Sequence, residues 1–299
     1  MKRSALAIVL AMLMSACAGA TGTLAVQLDA EESITDGLEA GTGLENIVDG
    51  WTVRFTRYQL AIGDVRIGRS ESGAEARDET VHVVDLTALP ATGVVIGTLE
   101  AVPAGRWGQL GYATPAASAS AVRADNVPQA DFDAMVAGRH TYFVEGTLSH
   151  PSGQSCPPGG TCRSATEVAF AFGVPVATRF TDCEPEEGLA GVSIQGGGTT
   201  TVSATIHGDH LFFDTFALGA EIVERRAQWL ANADTDGDGR VTRAELEALD
   251  AADLFPTGTY NLAGAPIPIE TAWDFVRAQL ATQGHVQGEG ECSWSLIDP

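Results

Sequence analysis

The residues with the clearest chemical potential are Asp234-Thr235-Asp236-Gly237-Asp238-Gly239-Arg240-Val241-Thr242-Arg243-Ala244-Glu245. Asp234, Asp236 and Asp238 alternate, and Glu245 follows, so four carboxylates are available to one short bend. Calcium is a hard cation that takes about six to eight oxygen ligands, and this donor set matches it. Gly239 sits where the chain must turn with positive φ, which a glycine does without steric cost. Arg240 would contribute its main-chain carbonyl, so its side chain is free to vary. Val241 would turn inward and make a short β contact. Thr242 would act through water, and Glu245 would close the shell with both oxygens. Thr242 followed by Glu245 also spells a capping box, so the last ligand lies at the start of a helix.

The twelve residues resemble the EF-hand calcium loop at every specified position. The resemblance implies a helix–loop–helix around roughly residues 219–255. It departs from the usual arrangement in two ways. The loop stands alone, whereas most EF-hands come in pairs, and Arg226 occupies a place where a large apolar residue is common. A lone loop of this kind implies a structural or low-affinity calcium site, roughly in the 10⁻⁴ to 10⁻³ M range of extracellular modules. Its selective binding to the folded chain would add stability as calcium rises.

A second constellation is His207-Gly208-Asp209-His210-Leu211-Phe212-Phe213-Asp214. His207, His210 and Asp214 offer imidazole and carboxylate donors suited to copper or zinc. The competing reading has both histidines bonding loop carbonyls while Leu211, Phe212 and Phe213 pack an interface. His82, His140, His150 and His285 are scattered and carry no assigned role.

These residues need a scaffold. From Thr23 to His207 the chain is rich in short alternating runs, among them Trp51 to Gly68, Val81 to Leu86, Thr141 to Leu148, Glu167 to Phe172 and Thr199 to His207. Gly, Pro, Ser and Asp cluster between them as turns require. The pattern predicts an antiparallel β-sandwich. Asp29 to Asp49 reads as a long acidic loop. After Asp214 the period changes, predicting helices over Leu218 to Ala233, Thr242 to Leu254 and Ile269 to Leu280. The expected organisation is a signal segment (1–20), a β-sandwich domain (21–214), and a helical segment (215–299) holding the single EF-hand and a C-terminal tail. The fold class is thus mainly β with a helical C-terminal part.

Lys2 and Arg3 precede an apolar run from Ser4 to Met14, too short to span a bilayer. Met14-Ser15-Ala16-Cys17 resembles a lipobox, which implies acylation of Cys17 and, with Ala18 following, an outer-membrane or cell-envelope lipoprotein. The alternative is an ordinary secretory cut after Ala18-Gly19-Ala20, giving a periplasmic or secreted protein. Beyond Cys17 four cysteines remain. In an exported chain they read as two disulfides, and three pairings are possible. The favoured one joins Cys156 to Cys162 across a tight loop, and Cys183 to Cys292 to tie the tail to the body.

The chain carries 39 acidic and 17 basic residues, a formal charge of -22. That field repels nucleic acid and favours cations as partners. No G-x-S-x-G, H-E-x-x-H, phosphate-binding glycine loop or dinucleotide fingerprint occurs, so no enzymatic activity is expected. Val81–Leu86, Pro103-Ala104-Gly105-Arg106-Trp107 and His207–His210 together resemble segments of the MbnP-like lipoproteins, exported β-sandwiches linked to copper handling. That resemblance implies a copper or other metal site at His207 and His210. The leading expectation is a non-enzymatic, calcium-binding, lipid-anchored protein. The alternative is a copper or zinc carrier. No protein partner is legible.

Overall fold

The computed structural model describes residues 19–29, 31–217 and 223–298, so the signal segment, the lipobox and Cys17 lie outside the described residues. Period-two alternation builds the strands. Thr21–Leu28 buries Leu24, Val26 and Leu28 and turns the residues between them outward. Glu167–Val174 repeats the pattern with Val168, Phe170, Phe172 and Val174. Thr52–Arg69 departs from it, because every residue from Tyr58 to Val65 is buried. This long strand is covered on both faces. One face joins the main core. The other places Ala61 in a satellite cluster with Val83, Ala117, Val127 and Met135, the last carried by the helix Gln129–Ala137. A strand covered on both faces reads as a continuous buried run rather than an alternating one.

The fold is mainly β, with a curled, mixed half-barrel sheet and a few short helices. In the larger sheet Tyr142–Ser149 pairs with the first half of Thr52–Arg69, and Gln109–Thr114 with its second half. Ala74–Asp85 pairs along Gln59 to Arg69. The register shifts at Gly63 and Asp64, which have φ of 156° and 50°. A Cβ at Gly63 would lie 2.0 Å from the Thr80 carbonyl oxygen, so only glycine fits this bulge. A four-stranded sheet follows the order Gly284–Val286, Thr199–Ile206, Thr21–Leu28, Val94–Pro103. The expected all-antiparallel pairing gives way to parallel pairing at Thr21–Leu28 with Thr199–Ile206, at Glu167–Val174 with Arg240–Val241, and at Ala74–Asp85 with Val122–Arg123. Each parallel pair joins segments far apart in sequence, as a crossover requires.

Several expected elements change extent. The acidic segment 29–49 is packed rather than loose: Ile34, Leu38 and Ile47 are buried, and a short helix covers Glu32–Thr35. Of the helix expected over 218–233, residues 218–222 lie outside the described residues and the helix proper is Gln228–Asn232. The next predicted helix divides into Arg243–Ala248 and Ala251–Leu254. The cause is Asp250, whose side chain accepts from the Ala252 N–H and starts a second helix while Leu249 is extended. The third helix, Ala272–Leu280, opens on a capping box formed by Thr271 and Asp274.

The structure joins Cys156 to Cys162 and Cys183 to Cys292, the pairing favoured from the sequence. The longer bridge sits where the terminal strand Ser293–Ile297 pairs with Ala177–Thr181. Two disulfides mark an extracytoplasmic chain, since thiols stay reduced in the cytosol. Among the described residues no helix is long and apolar enough to cross a membrane.

Candidate metal centre

The loop 234–245 is set by the short helix before it and the capped helix after it. Gln228–Asn232 begins where the Asp49 carboxylate accepts from the Ala227 and Gln228 N–H groups, at 2.9 and 2.8 Å. Trp229 and Leu230 anchor that helix in the core. Arg243–Ala248 begins at Thr242, whose hydroxyl accepts from the Glu245 N–H while the Glu245 carboxylate accepts from the Thr242 N–H. The capping box read from the sequence is therefore formed.

Within the bend, backbone N–H groups organise the carboxylates. Asp234 is buried, with Oδ1 accepting from Gly237 N–H at 2.9 Å and Oδ2 from Gly239 N–H at 3.2 Å. Gly237 and Gly239 have φ of 82° and 80°, in the left-handed region that glycine adopts freely. Asp236 Oδ1 accepts from Asp238 N–H, and Asp238 Oδ1 from Arg240 N–H. One oxygen each from Asp234, Asp236 and Glu245 lie within 4.8 Å of one another. Calcium–oxygen distances are about 2.3–2.6 Å, so one ion can touch three oxygens with that separation. Among the described residues this is the only group of three or more acidic, histidine or cysteine ligands that converges so closely. Asp238 stands outside the trio and Thr242 serves as the helix cap.

Glu245 is held on both sides. Oε1 accepts from Thr235 N–H at 2.8 Å and Oγ1 at 3.0 Å, and Oε2 from Thr242 N–H at 2.8 Å and Oγ1 at 2.9 Å. Burial by itself would raise its pKa. The hydrogen bonds from Thr242 and Thr235 outweigh that and hold the carboxyl below its usual value, so the group stays anionic.

Val241 turns inward and makes a short β contact as expected, but two partners of the loop were not legible from local spacing. Val241 is fully buried, and Arg240–Val241 pairs with Ala169 and Phe170 at the edge of the large sheet. The short β contact thus forms on the scaffold itself. Arg163, one residue past the small disulfide, places Nη2 3.2 Å from Asp234 Oδ1 and donates to the Asp234 carbonyl. A guanidinium on the first carboxylate of the loop opposes a second cation there. Only the register of the strand pair Gln154–Ser155 and Arg163–Ser164 brings it to the loop.

The histidines come together in a different set from the one expected. His210 Nε2 and His285 Nε2 are 3.4 Å apart, and the His207 ring centroid is 4.3 Å from that of His285. Burial, reinforced by the neighbouring histidines, lowers His210 to about 3 and His285 to about 2, so both rings are neutral at physiological pH. His207 Nε2 lies 3.0 Å from the Gly288 carbonyl, the loop-carbonyl contact of the competing reading. Leu211 and Phe212 are buried in the core as that reading expects. Asp214 does not join the histidines. Its carboxylate accepts from Glu224 N–H and pairs with Arg226. His285 was given no role because 75 residues separate it from His210. The strand pairing of Thr199–Ile206 with Gly284–Val286 is what brings it close.

No family model matches the chain, and no curated protein matches it. Among solved structures, MbnP from Methylosinus trichosporium shows a distant similarity, with a TM-score of 0.31 and 13% sequence identity over 64% of this chain and 76% of that one.

Proposed function

We propose that this chain is a calcium-binding exported protein whose 234–245 loop is a structural, low-affinity calcium site, and that it acts by binding rather than by catalysis. The observation that carries this reading is the convergence of Asp234, Asp236 and Glu245 in a loop whose sequence matches a known calcium pattern. Bound calcium would supply one multivalent charge holding the bend, with Asp234, Asp236, Asp238, the Arg240 carbonyl, Thr242 and Glu245 as its donors. The chain's own contribution is to orient those donors: Gly237 and Gly239 turn the backbone, Thr235 and Thr242 aim Glu245, and Val241 ties the loop to the sheet. Calorimetric titration of the mature protein with calcium should give one site in roughly the 10⁻⁴ to 10⁻³ M range. Arg163→Gln should tighten it, since one opposing charge leaves Asp234. The reading fails if no saturable heat is found and Glu245→Gln behaves like the native chain.

The envelope anchor belongs to the same proposal. Cys17 is the acylated residue, and metabolic labelling with a fatty-acid analogue should mark the native chain but not Cys17→Ser. Labelling that survives the substitution would remove the anchor.

A second reading has one specific observation in its favour. His210 and His285 bring two neutral imidazole nitrogens to 3.4 Å, beside His207, which suits copper or zinc. Elemental analysis of protein purified without added metal decides it. Near-stoichiometric copper or zinc that disappears in His285→Ala would support a carrier, and a metal-free native chain that takes up neither ion on titration would exclude one.

A further inference from the structure

Arg66, Arg77 and Arg179 meet at a single carboxylate in a chain whose formal charge is -22. Asp64 Oδ1 accepts from Arg66 Nε at 3.2 Å and Arg77 Nε at 2.5 Å. Its Oδ2 accepts from Arg66 Nη2 at 3.1 Å and Arg179 Nη2 at 2.7 Å. Strand register makes the meeting. Arg66 lies opposite Arg77, and Gln109–Thr114 pairs with both the Arg66 strand and the strand bearing Arg179. The bulge at Gly63 and Asp64 sets the Asp64 carboxylate among them, with Asp64 itself at φ 50°, a conformation that aspartate tolerates better than most residues. Burial would raise this carboxyl, but hydrogen bonds from Arg77, Arg66 and Arg179 hold it at about 2.

One aspartate does not exhaust three guanidiniums. Each carries five N–H donors, against about four lone-pair sites on a carboxylate. Arg77 also reaches Glu79, which is exposed, and the Arg66 and Arg77 side chains stay 42% and 41% open to solvent at the cleft. The same three arginines line a cleft of about 320 Å³ together with Glu75, Gln109 and Asp182. That volume is at the small end of ligand pockets. Planar guanidinium forks recognise carboxylates through paired hydrogen bonds, which a lysine cluster would not do. Glu75 and Asp182 in the same cleft oppose a multiply charged anion, and with Gln109 they offer acceptors to a neighbouring hydroxyl or amino group.

We infer that this cleft binds a small, singly charged carboxylate carrying a hydroxyl or amino group, with Arg66, Arg77 and Arg179 as the carboxylate-binding residues and Asp64 as the residue that positions them. The test uses the full mature chain and lactate as probe, with inorganic phosphate as comparator. Arginine side-chain Nε–Hε resonances are followed by NMR beside calorimetry. Lactate should shift those resonances saturably and phosphate should bind more weakly. Arg179→Gln should weaken lactate by about tenfold or more with the circular dichroism spectrum unchanged. Arg77→Gln, at a more exposed position, should weaken it too and keeps the test open if the first variant folds poorly. An absence of saturable shifts with lactate, phosphate binding more tightly than lactate, or both variants binding as the native chain does would overturn the inference.

Discussion

Calcium in hundredfold excess over its dissociation constant should stabilise the mature protein by about 2.7 kcal/mol, and Glu245→Gln should remove most of that gain. The first figure follows from mass action, because the oxygen cage exists only in the folded state. For a chain of this size each kcal/mol moves the melting temperature by roughly 2–4 °C, so the rise should be roughly 5–10 °C. Glu245→Gln is the informative substitution because it separates two roles of one side chain. Glutamine at this position still completes the capping box with Thr242, so Arg243–Ala248 keeps its start. What it lacks is the charge and the second anionic oxygen that close the calcium shell. The variant should melt somewhat below the native chain without calcium, because its amide nitrogen cannot accept the bond that Thr235 N–H gives Glu245, and should fall further behind as calcium is added. If both proteins gain equally, the ion binds elsewhere.

The second large effect concerns the bridge from Cys183 to Cys292, which spans 109 residues. In the chain-entropy account a loop of this length contributes about 4–5 kcal/mol by restricting the unfolded chain. Replacing both cysteines by alanine should lower denaturant-derived stability by about that amount. The short bridge from Cys156 to Cys162 closes a loop of separation 6 and should cost only about 2 kcal/mol when removed the same way. The long bridge also holds a specific structure. Thr181 pairs with Ser293, two residues from Cys183 and one from Cys292, so its loss should free Ser293–Ile297 first. Hydrogen exchange should then show amides of that strand exchanging faster than those of Tyr142–Ser149. Equal costs for the two double substitutions would contradict the account.

Apart from the pairing of Cys183 with Cys292, which rested on an even cysteine count, the residues legible in the sequence were those whose partners lie within one turn or one bend. The convergence of Asp234, Asp236 and Glu245 was readable because the spacing of these carboxylates is local, and the Thr242–Glu245 capping box for the same reason. The helix Gln129–Ala137 was missed even though Pro128 and Gly138 flank it, because its apolar residues spread round the helix without marking one face and only Met135 is fully buried. The strand alternation gave the β character. The three parallel pairings could not be read from it, since a strand's inward face carries no record of its neighbour's direction. Asp214 was grouped with His207 and His210 by proximity in sequence, yet the chain leads it to Glu224 and Arg226 instead. His285, Arg163 and the three arginines around Asp64 reach their places through register between strands distant in sequence. No local pattern encodes that.

A crystal structure of the mature protein grown with calcium, with the ion identified by its anomalous signal, tests the central claim most directly. The account predicts one ion held by oxygens of Asp234, Asp236, Asp238 and Glu245 and the Arg240 carbonyl, with Arg163 drawn away from Asp234. A loop with no ion density at saturating calcium, Glu245 still bonded only to Thr235 and Thr242, would contradict it.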